Sequence, residues 1–326
     1  MMTTSDPTAA SNAATHAASA DVIVVGGGPA GLSAAIALGR SRRSVIVVDA
    51  GQPRNARAHG AHNFLTRDGE SPLRILELGR DEAARYGVTI VNGAVSGVAG
   101  SVGSFTVATE AGDTYVGRRI IIASGIVDSL PDIAGLAERW GIDAIHCPYC
   151  HGWEVRDKTI AVIATSPLSM HQATLFRQWT EHLILLENEQ FVPMGEDALA
   201  LEARGTRRVA GKVASLRVEQ DALTGVVMED GSVVPVDAVV VASQSVADSA
   251  AIRDLGIPLA INPMGTFIET ELGGRTSIPG VWAAGNVTDL GAQVVTSAGA
   301  GLMAGAHVNM DLIQEETREA IARIAQ

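Results

Sequence analysis

Apolar positions along the chain cluster in short runs separated by glycine-rich turns. The first run, DVIVV at 21–25, lacks polar alternation and predicts a strand covered on both faces. After it come GGGPAG at 26–31 and LSAAIALGRSRR at 32–43, whose apolar residues return at helical spacing. A second buried run, VIVVD, ends at Asp49. The order restarts in the middle of the chain: TIAVIA at 159–164 predicts a strand and MHQATLFRQW at 170–179 a helix, and LILLENEQF follows at 183–191. Near the end, VWAAGNVTDLG at 281–291 leads into a small-residue helix, AQVVTSAGAGLMAGAHV, at 292–308. Alternating strands and helices predict an α/β protein with parallel sheets, and the length of 326 residues allows two domains.

Composition narrows this. A hydrophobic share of 47% with 35 glycines suits buried strands and tight turns, while 4% aromatic residues leave the core to Val, Ile, Leu and Ala. The net charge of −12 argues against a nucleic-acid partner, which needs a cationic surface. No apolar run reaches the ~18 residues of a membrane helix. Residues 1–19, rich in Ala, Ser and Thr, have neither the basic start nor the apolar stretch of a secretory signal; they read as a disordered leader on a cytoplasmic protein. In that compartment two cysteines three residues apart are redox-active or metal-binding rather than a structural staple.

Gly26, Gly28 and Gly31 form G-x-G-x-x-G between a strand and a helix, with an acid, Asp49, closing the second strand. Gly26 serves the tight turn, and Gly28 admits a pyrophosphate to the helix N-terminus. Gly31 lets helix and strand pack closely, and Asp49 can accept from an adenosine ribose. Spacing alone does not separate FAD from NAD.

HCPYCHGWE at 146–154 has three readings. Cys147 and Cys150 make a redox dithiol, whose short loop opens and closes readily. The run Cys147–His151 also fits haem attachment, C-x-x-C-H, and His146, Cys147, Cys150 and His151 could ligate zinc. The dinucleotide site on the same chain favours the dithiol.

Five stretches carry a resemblance: VVGGGPAGLSAA, DAGQPRNARAHGAHNFLTRDG, IIASGIVDSLPDI, HCPYCHGWEV and AAGNVTD. After residue 20 the chain resembles the low-molecular-weight thioredoxin reductases. The resemblance implies an α/β fold with two dinucleotide-binding domains. A discontinuous FAD domain covers 20–127 and 246–326, and an inserted domain, 128–245, carries the cysteines. It implies FAD contacts at Gly26, Gly28, Pro29, Ala30, Gly31, Asp49, Ala50, Gly51, Arg54, Asn55, His62 and Asn63. Further contacts are implied at Ala123, Ser124, Gly125, Gly285, Asn286, Gln293 and Val294. Asn286 stands where the family has Asp. The helix near Gln293 is expected to aim its N-terminus at the flavin. Cys150 is expected to face the flavin, Cys147 to meet substrate, and His151 to take the place of the family's acid/base Asp. His146 is read as structural. The resemblance also implies a homodimer and two interdomain crossings that act as a hinge.

The second nucleotide frame departs from the pattern. Ala164, Ser166 and Ser169 occupy its glycine positions, and Glu187 and Glu189 stand where relatives place arginines for a 2′-phosphate. This resembles the gliotoxin- and holomycin-type dithiol oxidases, which keep FAD and the cysteine pair without a nicotinamide donor. The expected activity is closure of a disulfide in a small dithiol, with oxygen as acceptor and peroxide as product. The hinge is then expected to hold one state. A disulfide reductase of thioredoxin-like proteins and a non-catalytic flavin redox sensor are the alternatives. The substrate pocket is expected to draw on residues 52–67, including His59 and His62, and on Trp140 and Trp153.

Overall fold

The computed structural model describes residues 18–326. The expected leader lies outside them, save Ala18 and Ser19, which already belong to the first strand. The chain starts β1 (Ala18–Val25), α1 (Pro29–Arg40) and β2 (Val45–Asp49), then α2 (Pro72–Arg85) and β3 (Thr89–Asn92). The expected helix begins three residues early because Pro29, with its preset φ and no N–H to satisfy, takes the first helical turn. An antiparallel excursion follows, β4 (Val95–Ser101) and β5 (Ser104–Thr109), and β6 (Thr114–Ile122) returns beside β1. The first crossing contains β7 (Val127–Ser129).

Beyond it lie α3 (Leu136–Arg139), β8 (Ala144–Ile145), α4 (Pro148–His151), β9 (Ile160–Ile163), α5 (Leu168–Phe176) and β10 (Leu183–Leu186). Next are α6 (Gly195–Ala203), β11 (Arg207–Val209), β12 (Val213–Glu219), β13 (Ala222–Met228), β14 (Val233–Val234) and β15 (Ala238–Val241). The return crossing, β16 (Gln244–Val246), pairs antiparallel with β7, Ser245 opposite Asp128. Then come α7 (Ala250–Asp254), β17 (Leu259–Asn262), β18 (Gly265–Ile268), β19 (Val281–Ala283) and α8 (Val294–Ile324).

The first seven-stranded sheet runs β3-β2-β1-β6-β5-β4, with β19 also paired to β6. Its central strands explain the unbroken apolar runs. Ile23, Val25, Ile46 and Val48 enter one core cluster, and Val22, Val24, Val45 and Val47 another. In the second cluster α1 and α8 cover the sheet through Ala30, Ala34, Leu38, Ala304 and Val308. The second sheet, β11-β10-β9-β15-β8, repeats this two-sided burial, Ile160 and Val162 on one side and Ala161 and Ile163 on the other.

The C-terminal helix runs to Ile324, well past the small-residue stretch, because residues 309–324 contain neither Gly nor Pro. Ion pairs hold that extension. Arg119, 2% exposed, reaches Asp311 at 2.7 Å and Glu315 at 2.5 Å, and Arg43 reaches Glu316 at 2.5 Å. The N-terminal half packs by backbone contact: a Cβ at Gly301 would sit 1.9 Å from the Ala30 carbonyl oxygen. Gly301→Ala is therefore expected to lower stability by about 1–3 kcal/mol, read as a fall in thermal midpoint. An unchanged midpoint would mean that α1 and α8 can separate at no cost.

Candidate redox site

A single cavity of about 580 Å³ connects the first glycine turn to the cysteine pair. Gly26, Gly28, Pro29, Ala30 and Asp49 line one end, and Ala123, Ser124 and Gly125 the wall above β6. Gly285, Asn286, Gln293 and Val294 bring in the start of α8. Arg54, Asn55 and His62 come from the loop after β2, and Cys147, Cys150 and His151 from the inserted segment. Thus segments far apart in sequence meet around one space. Gly31, Ala50, Gly51 and Asn63 do not line it. Gly31 packs beneath the turn, where a Cβ would meet the Gly26 carbonyl at 1.9 Å, and Asn63 turns its amide to the Tyr149 carbonyl at 2.7 Å. Of the expected pocket residues, 52–58, 60–62 and Trp140 line the cavity, and His59 does not. Trp153 is 65% exposed and stacks under the Arg156 guanidinium at 4.1 Å.

The glycine turn is shaped for a dinucleotide. Gly26 has φ +103° and lies against the Ala123 carbonyl, so it must lack a side chain. Nothing lies within 4 Å of where a Gly28 Cβ would stand, and no side chain caps α1. Its first N–H groups therefore face the cavity as an anion site. Asp49 accepts from the Gly27 N–H at 3.1 Å and pairs with Arg80 of α2 at 2.7 Å. Asn286 donates its amide to the Ala292 carbonyl at 2.9 Å and the Asp289 carbonyl at 3.2 Å, bracing the turn before α8. A carboxylate cannot donate these bonds, which gives the Asp-to-Asn departure a local physical reason.

The cysteines sit on a turn held from behind. Cys147 precedes α4, and the Cys150 and His151 N–H groups both donate to its carbonyl at 3.2 Å. A Cβ on Gly152 would collide with Trp179, whose ring also meets Tyr149 edge-on at 5.8 Å. Gln172 of α5 donates to the His146 carbonyl at 3.3 Å. The Cys150 thiol donates to the Cys147 sulfur, and the Cys150 and Tyr149 N–H groups support it, bringing Cys147 down to about 7. Cys150, donor of that bond and buried, is pushed up. The pair thus shares a proton near neutrality. Burial pushes His151 down, partly offset by Glu154, and neither ring nitrogen has a partner among the described residues. The Ser124 hydroxyl is likewise buried and unpaired. A neutral imidazole with both nitrogens free beside two thiols can take or give a proton. Burial and Arg54 together lower His146, which keeps it neutral. Among the described residues no three His, Cys, Asp or Glu side chains gather in a metal-binding cluster.

The second nucleotide loop is closed on itself. The Thr165 N–H donates to Ser169 Oγ at 3.1 Å, and the Leu168 N–H to Ser166 Oγ at 3.3 Å. The Ser169 N–H donates to the Ser166 carbonyl at 3.0 Å, and Pro167 has no N–H. Glu187 differs from expectation: its charge is balanced by Arg208 at 2.5 Å, so it does not stand as a free repulsive group. Instead it occupies a cation that a phosphate could otherwise use.

The family model for pyridine nucleotide-disulphide oxidoreductases matches residues 20–307. The chain belongs to this family. Within it the chain is thioredoxin reductase-like. It is 32% identical over 311 residues to thioredoxin reductase sirT of Leptosphaeria maculans, covering 90% of this chain and 94% of that one. The crystal structure of HlmI superposes with a TM-score of 0.88 at 40% identity, covering 94% of this chain and 96% of that one. An oxidoreductase from Agrobacterium tumefaciens gives 0.86 at 36% identity, with 90% and 99% covered. The family implies a flavin, and the open Gly28 cradle, uncapped α1 and unpaired Ser124 and His151 groups fit one.

The quoted stretches contain Arg57 and Asp128 without singling them out, and the fold brings both to this wall; Arg80, outside every motif, reaches it only through Asp49. The shared proton yields a prediction. Thiolate is the reactive form, so alkylation of Cys147 in the reduced protein should rise with pH and level off above about 7. Cys150→Ala removes the donor and should move that midpoint toward the ordinary thiol value of about 8.5. Mass spectrometry across a pH series reads both. An unmoved midpoint would rule out the Cys150 bond as the cause.

Proposed function

We propose that this oxidoreductase is an FAD-dependent dithiol oxidase that closes an intramolecular disulfide in a small molecule, with oxygen as acceptor and hydrogen peroxide as product. The observation that carries the reading is the second nucleotide loop. The N–H groups of Thr165, Leu168 and Ser169 are bonded to its own Ser166 and Ser169 and Pro167 has none, so few donors are left there for a nicotinamide dinucleotide. The glycine turn at Gly26–Gly31 keeps such donors. The two-unit division at 128 and 245 belongs to this reading, supported by the paired crossings β7 and β16.

In the reaction, a substrate thiol loses its proton to His151 and attacks Cys147 Sγ. The Cys147–Cys150 bond breaks and Cys150 leaves as the thiolate. The second substrate thiol, once deprotonated, attacks the substrate sulfur of the mixed disulfide. A cyclic disulfide departs and Cys147 is released as thiolate. A leaving thiol of low pKa departs fastest, which suits the Cys147 environment. The substrate loses two electrons and two protons, and the cysteine pair gains the electrons. Bound FAD would supply the acceptor for that electron pair and its onward route to oxygen. Gly26, Gly28, Asp49 and Asn286 would hold it, in the cavity that the start of α8 also lines.

A second reading, reduction of a protein disulfide, is favoured by one feature. Leu65, Tyr149 and Trp153, 85%, 57% and 65% exposed, flank the cysteine turn as a face that a protein could use. The two separate under anaerobic conditions. Dithiothreitol should bleach the flavin and air should restore it with peroxide, while NADPH and NADH leave it coloured. Cys150→Ser should keep the flavin bound and abolish bleaching. Rapid bleaching by NADPH, with turnover of oxidised thioredoxin, would establish a reductase instead. The reading includes a cytoplasmic homodimer. Leu302, Met303, Met310 and Ile313, exposed along α8, supply an apolar face for the second copy, and sedimentation at micromolar concentration should show twice the chain mass. A monomer there would remove the dimer from the reading.

A further inference from the structure

Three side chains from one short segment cross to the inserted unit at separate points around the cysteines. Arg54 forms a bidentate pair with Asp128, Nε to Oδ2 at 2.6 Å and Nη2 to Oδ1 at 2.7 Å. Asp128 lies on β7 of the first crossing, and Ser243, just before β16 on the return crossing, donates to the same carboxylate at 2.8 Å. Arg57 Nη1 donates to the Ala137 carbonyl at 2.9 Å and the Glu138 carbonyl at 3.3 Å, in α3. Asn63 donates to the Tyr149 carbonyl at 2.7 Å, inside the C-x-x-C turn.

We propose that residues 54–63 form a strap that holds the inserted unit against the first sheet at these three points, so that Arg54, Arg57 and Asn63 are positioning residues for the cysteine pair. The physical basis is the nature of the partners. Two of the three tethers end on main-chain carbonyls, which cannot turn away as a side chain can. The third is a planar fork on a carboxylate, which fixes orientation as well as distance. The Asp128 carboxylate is 8% exposed, so water competes poorly for it. Burial works to raise Asp128, but Arg54 outweighs it and keeps the group ionised. Because Asp128 also takes the Ser243 hydroxyl, one carboxylate joins Arg54 to both chain crossings at once. A rotation of the inserted unit about those crossings would have to break all three tethers. Cys147 lines the cavity in this arrangement and is partly exposed, so substrate reaches it without such a rotation. The role assigned to the strap rests on the redox reading of Cys147 and Cys150.

Arg54 could act on the thiols through its charge alone, since it lowers both of them. Asp128→Asn separates the two roles. It leaves the Arg54 charge in place and removes the ionic fork. Asp128→Asn, in the flavin-loaded protein, should retain flavin, and Arg54→Gln, at a cavity-lining residue, is compared with it at equal flavin occupancy. In both, amide hydrogen exchange at 127–129 and 144–152 should rise roughly tenfold over the wild type. Anaerobic bleaching by dithiothreitol should slow about tenfold or more, as expected when reacting groups are misplaced. Asn63→Ala should raise exchange at 144–152 in the same direction, and it serves if an Arg54 variant fails to fold. Wild-type exchange in Asp128→Asn and Asn63→Ala would overturn the strap, whatever Arg54→Gln does. If dithiothreitol fails to bleach the wild-type flavin, the oxidase reading falls. The exchange comparison needs no turnover and still decides the strap.

Discussion

The redox site depends on backbone meeting backbone at the start of α1. One side of that helix presses on the turn after β1, where Gly31 lies beneath the Gly26 carbonyl. On the other side Gly301 of α8 lies against the Ala30 carbonyl. No side chain fits at either contact, so the N-terminus of α1 has essentially one position relative to the sheet and to α8. Because α8 begins at Val294, the same contacts place that helix start in the cavity wall. Close packing of this kind transmits position over several elements with little give.

Charge then secures what packing has placed. At the end remote from the cavity, buried Arg119 and its neighbour Arg118 gather Asp311, Glu315 and Glu316 of α8. At the cavity itself, Arg54 and Asp128 join the loop after β2 to the first crossing. The two ion-pair groups differ in consequence. The first ties a helix to its own sheet, whereas the second joins the two halves of the site and leaves a cation beside the thiols. The same charge that secures the crossings therefore also eases thiolate formation.

The two nucleotide-type loops show how far chemistry can diverge on one topology. Each follows a parallel central strand and leads into a helix. In the first, Gly26, Gly28 and Gly31 leave N–H donors exposed to the cavity. In the second, Ser166 and Ser169 turn back onto the donors they displace, and Pro167 removes another. A serine in place of glycine does more than add bulk here, since it satisfies the group that would otherwise have bound a phosphate.

Much of this could be read from the linear chain because it is local. Two-sided apolar strands, the glycine spacing and the C-x-x-C turn each need only a few neighbouring residues, and they led to the fold and to Cys147, Cys150 and the first nucleotide turn. Helix ends were less accessible. Pro29 moved one boundary, and the Gly- and Pro-free tail of α8 moved another. Long-range polar pairing was inaccessible. Glu187 looked like a free charge until Arg208, on a neighbouring strand, was found beside it. Arg54 and Asn63 were both expected beside a cofactor; Arg54 lines the cavity and also meets Asp128, while Asn63 turns to the Tyr149 carbonyl, partners 74 and 86 residues away. A residue's own neighbours set its backbone and its burial pattern. The partner of a charged or hydrogen-bonding side chain is set by which distant segments the packed sheets bring within about 3 Å, and only the folded chain carries that information.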